Sequence, residues 1–447
     1  MKNRVIKQYL VIGLLIMVVC PIVAQPKVTL EQLQQDWSAY QGQRVTITTP
    51  LIVCGKYYDS LIVSSERLFV PEERAVGLGQ GDSTTYWYWR YYNDSLRIKL
   101  QCRTGFNLNL GATVKNLTAQ VMEPRSLQTG AQPRFKNFKP SKKVTAQKGA
   151  LTICAANVQN YFVHVGGYAT KRNTPAQHQW QCEKTAAALT RINADIYALC
   201  ELEQGSSAPA ELCARMNSLC RKDKYTFVVT DTVDRDTISV GFIYNKARVR
   251  PHGDLIYVYK NLNNIYAHRF MIQSFEDMAT GQSFYMSINH PRSKRGDAAQ
   301  ANAKRVGSIQ RVLAALDTID APIILVGDYN SYGQEQSLQM LVHAGYKDMV
   351  MAMDSLNYSY SYNGECGYLD RVFANDKMQP YITSIQPIHW NTDYYYSAAY
   401  WSKYNYKNNI APKEKQPNIW KHVSPQAKRN LLFRYSDHDP LLITLHL

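Results

Sequence analysis

Two apolar runs that each break on an acidic motif constrain this chain more than any other feature. Ala321-Pro322-Ile323-Ile324-Leu325-Val326 leads into Gly327-Asp328-Tyr329-Asn330-Ser331, and Ser436-Asp437-His438-Asp439-Pro440 leads into Leu441-Leu442-Ile443-Thr444-Leu445. Both runs have strand length, β-branched content and turn residues at the polar end, so each reads as a buried strand with its charge at a sheet edge. A core strand needs no such charge. Gathered carboxylates repel unless a cation neutralises them, and an oxygen-rich set with an Asn and a nearby His suits a hard divalent metal such as Mg2+, with Mn2+ or Ca2+ as alternatives. Metal-assisted phosphoester hydrolysis is the chemistry such a set supports.

A chain of 447 residues is too long for one ordinary core, which predicts two domains. Lys2, Arg4 and Lys7, the apolar residues 9–19 and Pro21-Ile22-Val23-Ala24 have the three-part form of a secretory signal over residues 1–24. Export to the periplasm or beyond the cell follows, with a lipid anchor on Cys20 as the alternative; bulky Val19 stands against it, since a small residue should precede a lipidated cysteine. No other apolar segment approaches the roughly 20 residues of a membrane span. The formal charge is +16, and about +13 remains without the leader's three basic residues, which favours an anionic partner. Eight cysteines remain after residue 24, an even number that in an oxidising compartment predicts some disulfides; Cys154 and Cys200, in apolar runs, read instead as free buried thiols. The absence of any CxxC pair argues against structural zinc.

Residues 26–129 read as a small all-β domain. A short helical pattern over 30–40 and Gly42 precede alternating or β-branched stretches at 44–48, 60–70, 96–101 and 112–122. Residues 130–149, with two Pro, five Lys and few apolar side chains, read as a basic linker. From residue 150 to 447 strands alternate with helices: strands at 151–155, 195–202, 225–230, 238–244 and 283–289, helices at 178–192, 209–221 and 298–316. This predicts an α/β (α+β) sandwich with helices outside two packed sheets. The Tyr-rich stretch 393–406 reads equally as a surface loop or as a stacking surface for a ligand.

Six polar motifs fall at strand ends, in order: Asn157 after the first strand, "ADIYALCELEQ" with Glu201, "INHPRSK" with His290, "GDYNSY" with Asp328 and Asn330, "GYLDRVF" with Asp370, and "YSDHDP" with Asp437 and His438. With them, residues 150–447 resemble the endonuclease/exonuclease/phosphatase superfamily, the DNase I-like hydrolases, and among these the secreted bacterial nucleases. The resemblance implies a four-layer αββα sandwich with its active site where the loops of the two sheets converge. The residues before 130 resemble the OB-fold modules that often precede such nuclease domains.

The resemblance implies a role for each motif residue, and chemistry supports it. Glu201 would be the principal metal ligand, with Asn157 adding a neutral oxygen or orienting it, and Asp437 a further ligand directly or through water. Asp328, with Asn330 projecting to the same face across Tyr329, would orient or deprotonate the attacking water. His438 would contact the scissile phosphate or act as the base, its tautomer fixed by Asp370. His290 would bind phosphate or protonate the leaving group, although Asp236 is its only candidate acidic partner. Arg269, Arg292 and Lys294 would hold substrate phosphate. Glu203 reads as a solvated strand end, and Asp439 as a turn cap. Arg371 after Asp370 follows the DNase I type, where secreted nucleases commonly carry an aromatic or His.

These features predict a secreted metal-dependent phosphodiesterase that cleaves DNA or RNA internally, with nucleic acid as substrate and no obligate protein partner. The enzymatic alternative is a secreted phosphatase or a phospholipase C-like phosphoesterase acting on inositol phosphate or sphingomyelin. The non-enzymatic alternative is a DNA-binding protein with a decayed centre, which the intact motif residues oppose.

Overall fold

The computed structural model describes residues 25–57, 59–102, 108–139, 141–145, 147, 149–164, 175–232, 238–394 and 432–447. The expected leader with Cys20, Asp236, and residues 395–406 of the Tyr-rich stretch lie outside the described residues. Among the described residues no helix is long and apolar enough to cross a membrane.

Two six-stranded sheets face each other. The first runs Tyr225–Phe227, Ile238–Asn245, Ile196–Glu203, Leu151–Tyr161, Leu441–Leu445, Ile382–Pro387. The second runs Val249–Tyr257, Phe270–Asp277, Ser283–Asn289, Ile323–Asp328, Asp370–Ala374, Lys347–Asp348. Both apolar runs singled out in the sequence are interior strands, buried on both faces, which accounts for their unbroken hydrophobicity. Strand alternation sorts the side chains: Leu151, Ile153 and Ala155 meet Met286, Ile288, Ile324 and Val326 between the sheets, while Cys154, Ala156 and Val158 point the other way. That outer face is covered by Pro175–Ile192 and Ser207–Cys220 through Ala186, Leu189, Leu212 and Met216. Ala298–Leu316, capped by the Asp297 side chain on the Gln300 amide, and Gln336–His343 cover the second sheet through Ile309, Val312, Leu338 and Leu341. The result is the expected mixed α/β sandwich of four layers.

Before it, eight strands between Lys27 and Gln128 form a third sheet around Val45, Ile47, Val53, Leu61, Val63, Ile98 and Leu100. This part is not all-β as expected, because the 13-residue helix Thr84–Leu96 interrupts it. Its TTYWYWRYYNDSL sequence favours strands by composition. Tertiary contacts override that preference: Arg74 stacks 4.7 Å over Trp89, and Asn93 Nδ2 donates to Phe69 O at 2.7 Å and to Glu365 Oε1 at 2.9 Å. The opposite face leaves Trp87, Tyr88 and Tyr91 exposed. The stretch read as one strand over 60–70 divides into Ser60–Ser64 and Leu68–Phe69, and the latter leaves its own sheet to pair in parallel with Glu365–Gly367.

That pairing docks the N-terminal sheet onto the sandwich. Arg90 and Arg97 both reach Glu365 Oε1 at 2.8 Å, and Arg67 reaches Asp393 at 2.8 Å. A groove of about 830 Å³ runs along the junction between Glu72 and Tyr86 on one side and Lys294 and Arg305 on the other. The basic stretch after Gln128 is also fastened: Lys136 bridges to Thr113, and Ser141 O accepts from Trp390 Nε1 at 2.6 Å. None of the eight cysteines from Cys54 to Cys366 is in a disulfide; all but Cys220 are buried, and they behave as small apolar side chains. Burial pushes the Cys102 and Cys182 thiols up to about 11.

Candidate active site

Paired backbone irregularities build one wall. The parallel ladder between Leu151–Tyr161 and Ile196–Glu203 shifts register between Asn157 and Tyr161, and the ladder to Ile238–Asn245 shifts between Cys200 and Leu202. Gln159, Asn160 and Glu201 take the left-handed conformation there, at φ of 55°, 51° and 66°. Each such residue costs roughly 1–2 kcal/mol, and strain of this kind gathers at functional sites. The irregularity re-aims Glu201, whose carboxylate accepts from the Asn160 amide at 2.8 Å and from Asn157 Nδ2 at 3.0 Å.

Asp328 ends its strand opposite. Gly327, at φ 133°, lies so near the neighbouring strand that a Cβ would stand 2.2 Å from Asn289 O, so only glycine fits before the carboxylate. The same-face relation of Asp328 and Asn330 does not come from strand alternation as expected. Asn330 is left-handed at φ 49° and folds back, giving its amide to Asp328 Oδ1 at 2.9 Å and its Nδ2 to Pro291 O at 3.2 Å. Asn157 Nδ2 also donates to Asp328 Oδ2 at 3.0 Å, so one amide bridges the two carboxylates. Its Oδ1 accepts from the Gln159 amide at 2.8 Å, which turns the nitrogen inward, so of the two expected roles the geometry favours orienting Glu201 over donating an oxygen to a metal. Between two carboxylates a donor is the favoured group.

Two histidines close the site in opposite charge states. Burial, with Arg269 and His438 nearby, holds His290 well below its ordinary value, hence neutral. Its Nε2 lies 3.8 Å from Glu201 and 3.7 Å from Asp328, beyond hydrogen-bond range, and its buried Nδ1 has no partner among the described residues. His438 is the converse. Burial opposes its charge, but Asp370, whose Oδ2 is 2.8 Å from Nδ1, and Asp328, 3.8 Å from Nε2, outweigh it and raise the imidazole well above 6.5. Tyr360 stacks on this ring at 4.6 Å. Burial pushes Asp328 up to about 7 although His438 pulls it down, and burial followed by Asp437 raises Glu201.

Arg269 is positioned by its carbonyl, which accepts the His290 amide at 2.9 Å; its Nε is unpartnered among the described residues, and its charge acts on Glu201 and on Arg292. Lys294 departs from expectation. It forms an ion pair with Glu335 and lies 4.9 Å over the Tyr332 ring, because Glu335 offers a fixed counter-charge. Arg295 and Arg434 instead stand near Tyr360. These three residues escaped the sequence reading, although Arg295 and Arg434 adjoin motifs quoted there. Glu203 accepts from the Val163 and His164 amides, and Asp439 from those of Asn391 and Thr392, so Glu203 is bound rather than solvated and Asp439 does cap a turn.

One donor atom from each of Glu201, His290 and Asp328 lies within 4.8 Å of the others, and Asp437 stands outside this group. Two carboxylates whose burial disfavours charge, aimed at one point beside a neutral imidazole, fit a divalent cation. Residues 160–445 match the family described as the endonuclease/exonuclease/phosphatase family. The chain belongs to the endonuclease/exonuclease/phosphatase family. Members of this family are hydrolases of phosphoester bonds and generally depend on divalent metals. Similar solved structures include an endonuclease/exonuclease/phosphatase from Bacteroides vulgatus, at 14% identity over 67% of this chain and 100% of that one, with a TM-score of 0.43. A humanized D. rerio TDP2 shares 16% identity over 67% and 99%, with a TM-score of 0.42. A mannosyl-6-phosphatase from Bacteroides thetaiotaomicron shares 14% over 66% and 100%, with a TM-score of 0.41. No curated protein matches the chain in sequence.

Proposed function

We propose that this chain is an exported, Mg2+-dependent phosphodiesterase that cleaves nucleic acid internally by in-line attack of water. The observation that carries the reading is the line Asp370, His438, Asp328: a protonated imidazole set between two carboxylates, facing the Glu201 side of the site. Glu201 would hold the cation, with Asp437 reaching it through water, and the cation when bound would neutralise charge on the phosphoryl oxygens. Asp328 would orient the attacking water and accept its proton, its two oxygens held by the Asn330 amide and by Asn157 Nδ2. His438 donates to a phosphoryl oxygen from Nε2 while Asp370 fixes Nδ1. Neutral His290 serves as a hydrogen-bond donor to phosphate rather than as a stored proton. Arg269 and Arg292 add positive charge on one side of the site, Arg295 and Arg434 on the other.

Nucleic acid is the preferred substrate class because charge and aromatic surface coincide. The chain carries +16, and Trp87, Tyr88 and Tyr91 offer exposed faces on which bases can stack. The N-terminal sheet, read as OB-like, would be the module that holds the strand.

The test incubates the purified chain with circular and linear DNA, RNA, sphingomyelin vesicles and inositol phosphates, with Mg2+ or EDTA. Metal-dependent nicking of circular DNA is expected. Asp328→Ala and His438→Ala should each abolish turnover while salt-sensitive DNA binding persists. Release of phosphate or phosphocholine without nicking would move the function to a phosphatase or phospholipase. Near-normal turnover in either variant would overturn the mechanism.

A further inference from the structure

Glu73 lies well before the family match, in the segment that follows the docked strand Leu68–Phe69. It is nevertheless buried inside the catalytic half. Its Oε2 accepts the Gly333 amide at 3.0 Å, its Oε1 accepts the Tyr368 amide at 2.7 Å, and its carboxylate forms an ion pair with Arg371. Gly333 closes the turn that begins at Asp328 and Asn330, and Tyr368 and Arg371 bracket Asp370. One carboxylate therefore spans the turn that follows the proposed base and the segment that precedes the partner of His438.

The fit leaves little freedom. A Cβ at Gly333 would stand 2.9 Å from Glu73 Oε2, and one at Gly367 3.0 Å from Oε1. Arg371 has no exposed surface, and its remaining nitrogens are taken by Asp348 at 2.8 Å and Tyr368 O at 3.1 Å. The neighbouring backbone repeats the join: the Gln334 amide meets Glu72 O at 2.9 Å, and the Val70 amide meets Cys366 O at 3.0 Å. An ion pair that only added stability would need Arg371 alone; past the point where the Asp328–Asp370 strand pairing stops, the capture of the Gly333 and Tyr368 amides by one carboxylate fixes the distance between the two segments.

We infer that Glu73 is a positioning residue of the active site, through which the N-terminal segment holds the turn after Asp328 against the segment before Asp370, beyond the end of the ladder that pairs those two residues. The inference rests on the phosphodiesterase reading for its kinetic consequence. Catalytic geometry tolerates little slack, since a misplacement of about 1 Å costs on the order of 100-fold in rate. Glu73→Gln keeps the shape but removes the charge and one of the two acceptors. In this variant kcat should fall by about 10- to 100-fold with KM within about two-fold of the parent, because substrate contacts are untouched. Hydrogen exchange should quicken at the Gly333 and Tyr368 amides and stay unchanged in Leu151–Tyr161. The double variant Glu73→Met with Arg371→Met replaces the buried pair by apolar side chains, a change that proteins often tolerate in stability. It should fold and show the same kcat loss. Parent-like kcat in folded Glu73→Gln, or exchange that quickens evenly through all strands, would overturn the inference. If the parent hydrolyses no phosphoester, the functional reading fails, and exchange at the two amides still decides whether Glu73 orders the loops.

Discussion

At the scale of single residues, the site depends on like groups held in unlike states. His290 and His438 face the same carboxylate, Asp328, yet one is neutral and the other charged, because only His438 has a second carboxylate within hydrogen-bond distance. The Asp370–His438 pairing was expected from the family resemblance that the two motifs carry, with which the chemistry of a fixed tautomer agrees. The route from Asp328 to Asn330 was not, because a left-handed turn at Asn330 leaves no mark in an alternating pattern. The ion pair of Lys294 was not legible for a related reason: its counter-charge, Glu335, lies 41 residues away. His389, to which the sequence motifs assign no role, offers a prediction about stability. Burial opposes its charge, but Asp439 at 2.9 Å outweighs it and raises the imidazole above 6.5. Its contribution is thus complete below the unfolded value and lost as pH rises through the higher folded one. Urea midpoints between about pH 6 and 9 should fall less steeply in His389→Gln than in the parent. Equal slopes would assign the fall to another group.

At the scale of elements, long periodic segments were readable and short or aromatic ones were not. Ala298–Leu316 and the two strands beside the acidic motifs appear with bounds close to expectation, because burial on one or both faces writes a clear pattern. Thr84–Leu96 was missed because Tyr and Trp favour strands unless other contacts impose a helix. Its exposed aromatic face continues toward the junction groove, whose wall includes Tyr86 and Lys294. Replacing Trp87 and Tyr91 by Ser should weaken single-stranded DNA binding by about 1–3 kcal/mol for each base unstacked. A fluorescence titration at fixed salt would measure this, with the melting temperature of the protein unchanged. Parent-like affinity would mean that the strand follows another face.

At the scale of the whole molecule, the αββα arrangement was foreseeable from alternating elements and motif order, whereas the attachment of the N-terminal sheet was not. Nothing local in Leu68–Phe69 announces a parallel partner so distant in the chain, and nothing in Glu73 announces a place between the Gly333 turn and the Tyr368 segment. Such long-range pairing is specified by surfaces that exist only after both parts have formed. The two residues joined by the Cys366 thiol on Leu68 O are 298 apart in sequence. The order of assembly follows from this separation. During synthesis the Leu68–Phe69 edge is made long before Glu365–Gly367 exists, and non-local closure of this kind is slow. Refolding from urea should therefore regain far-UV dichroism before it regains turnover, and simultaneous recovery of the two signals would argue against a late join. A chain whose active site is closed last by a distant segment stays inactive toward the phosphoesters around it for as long as it is incomplete.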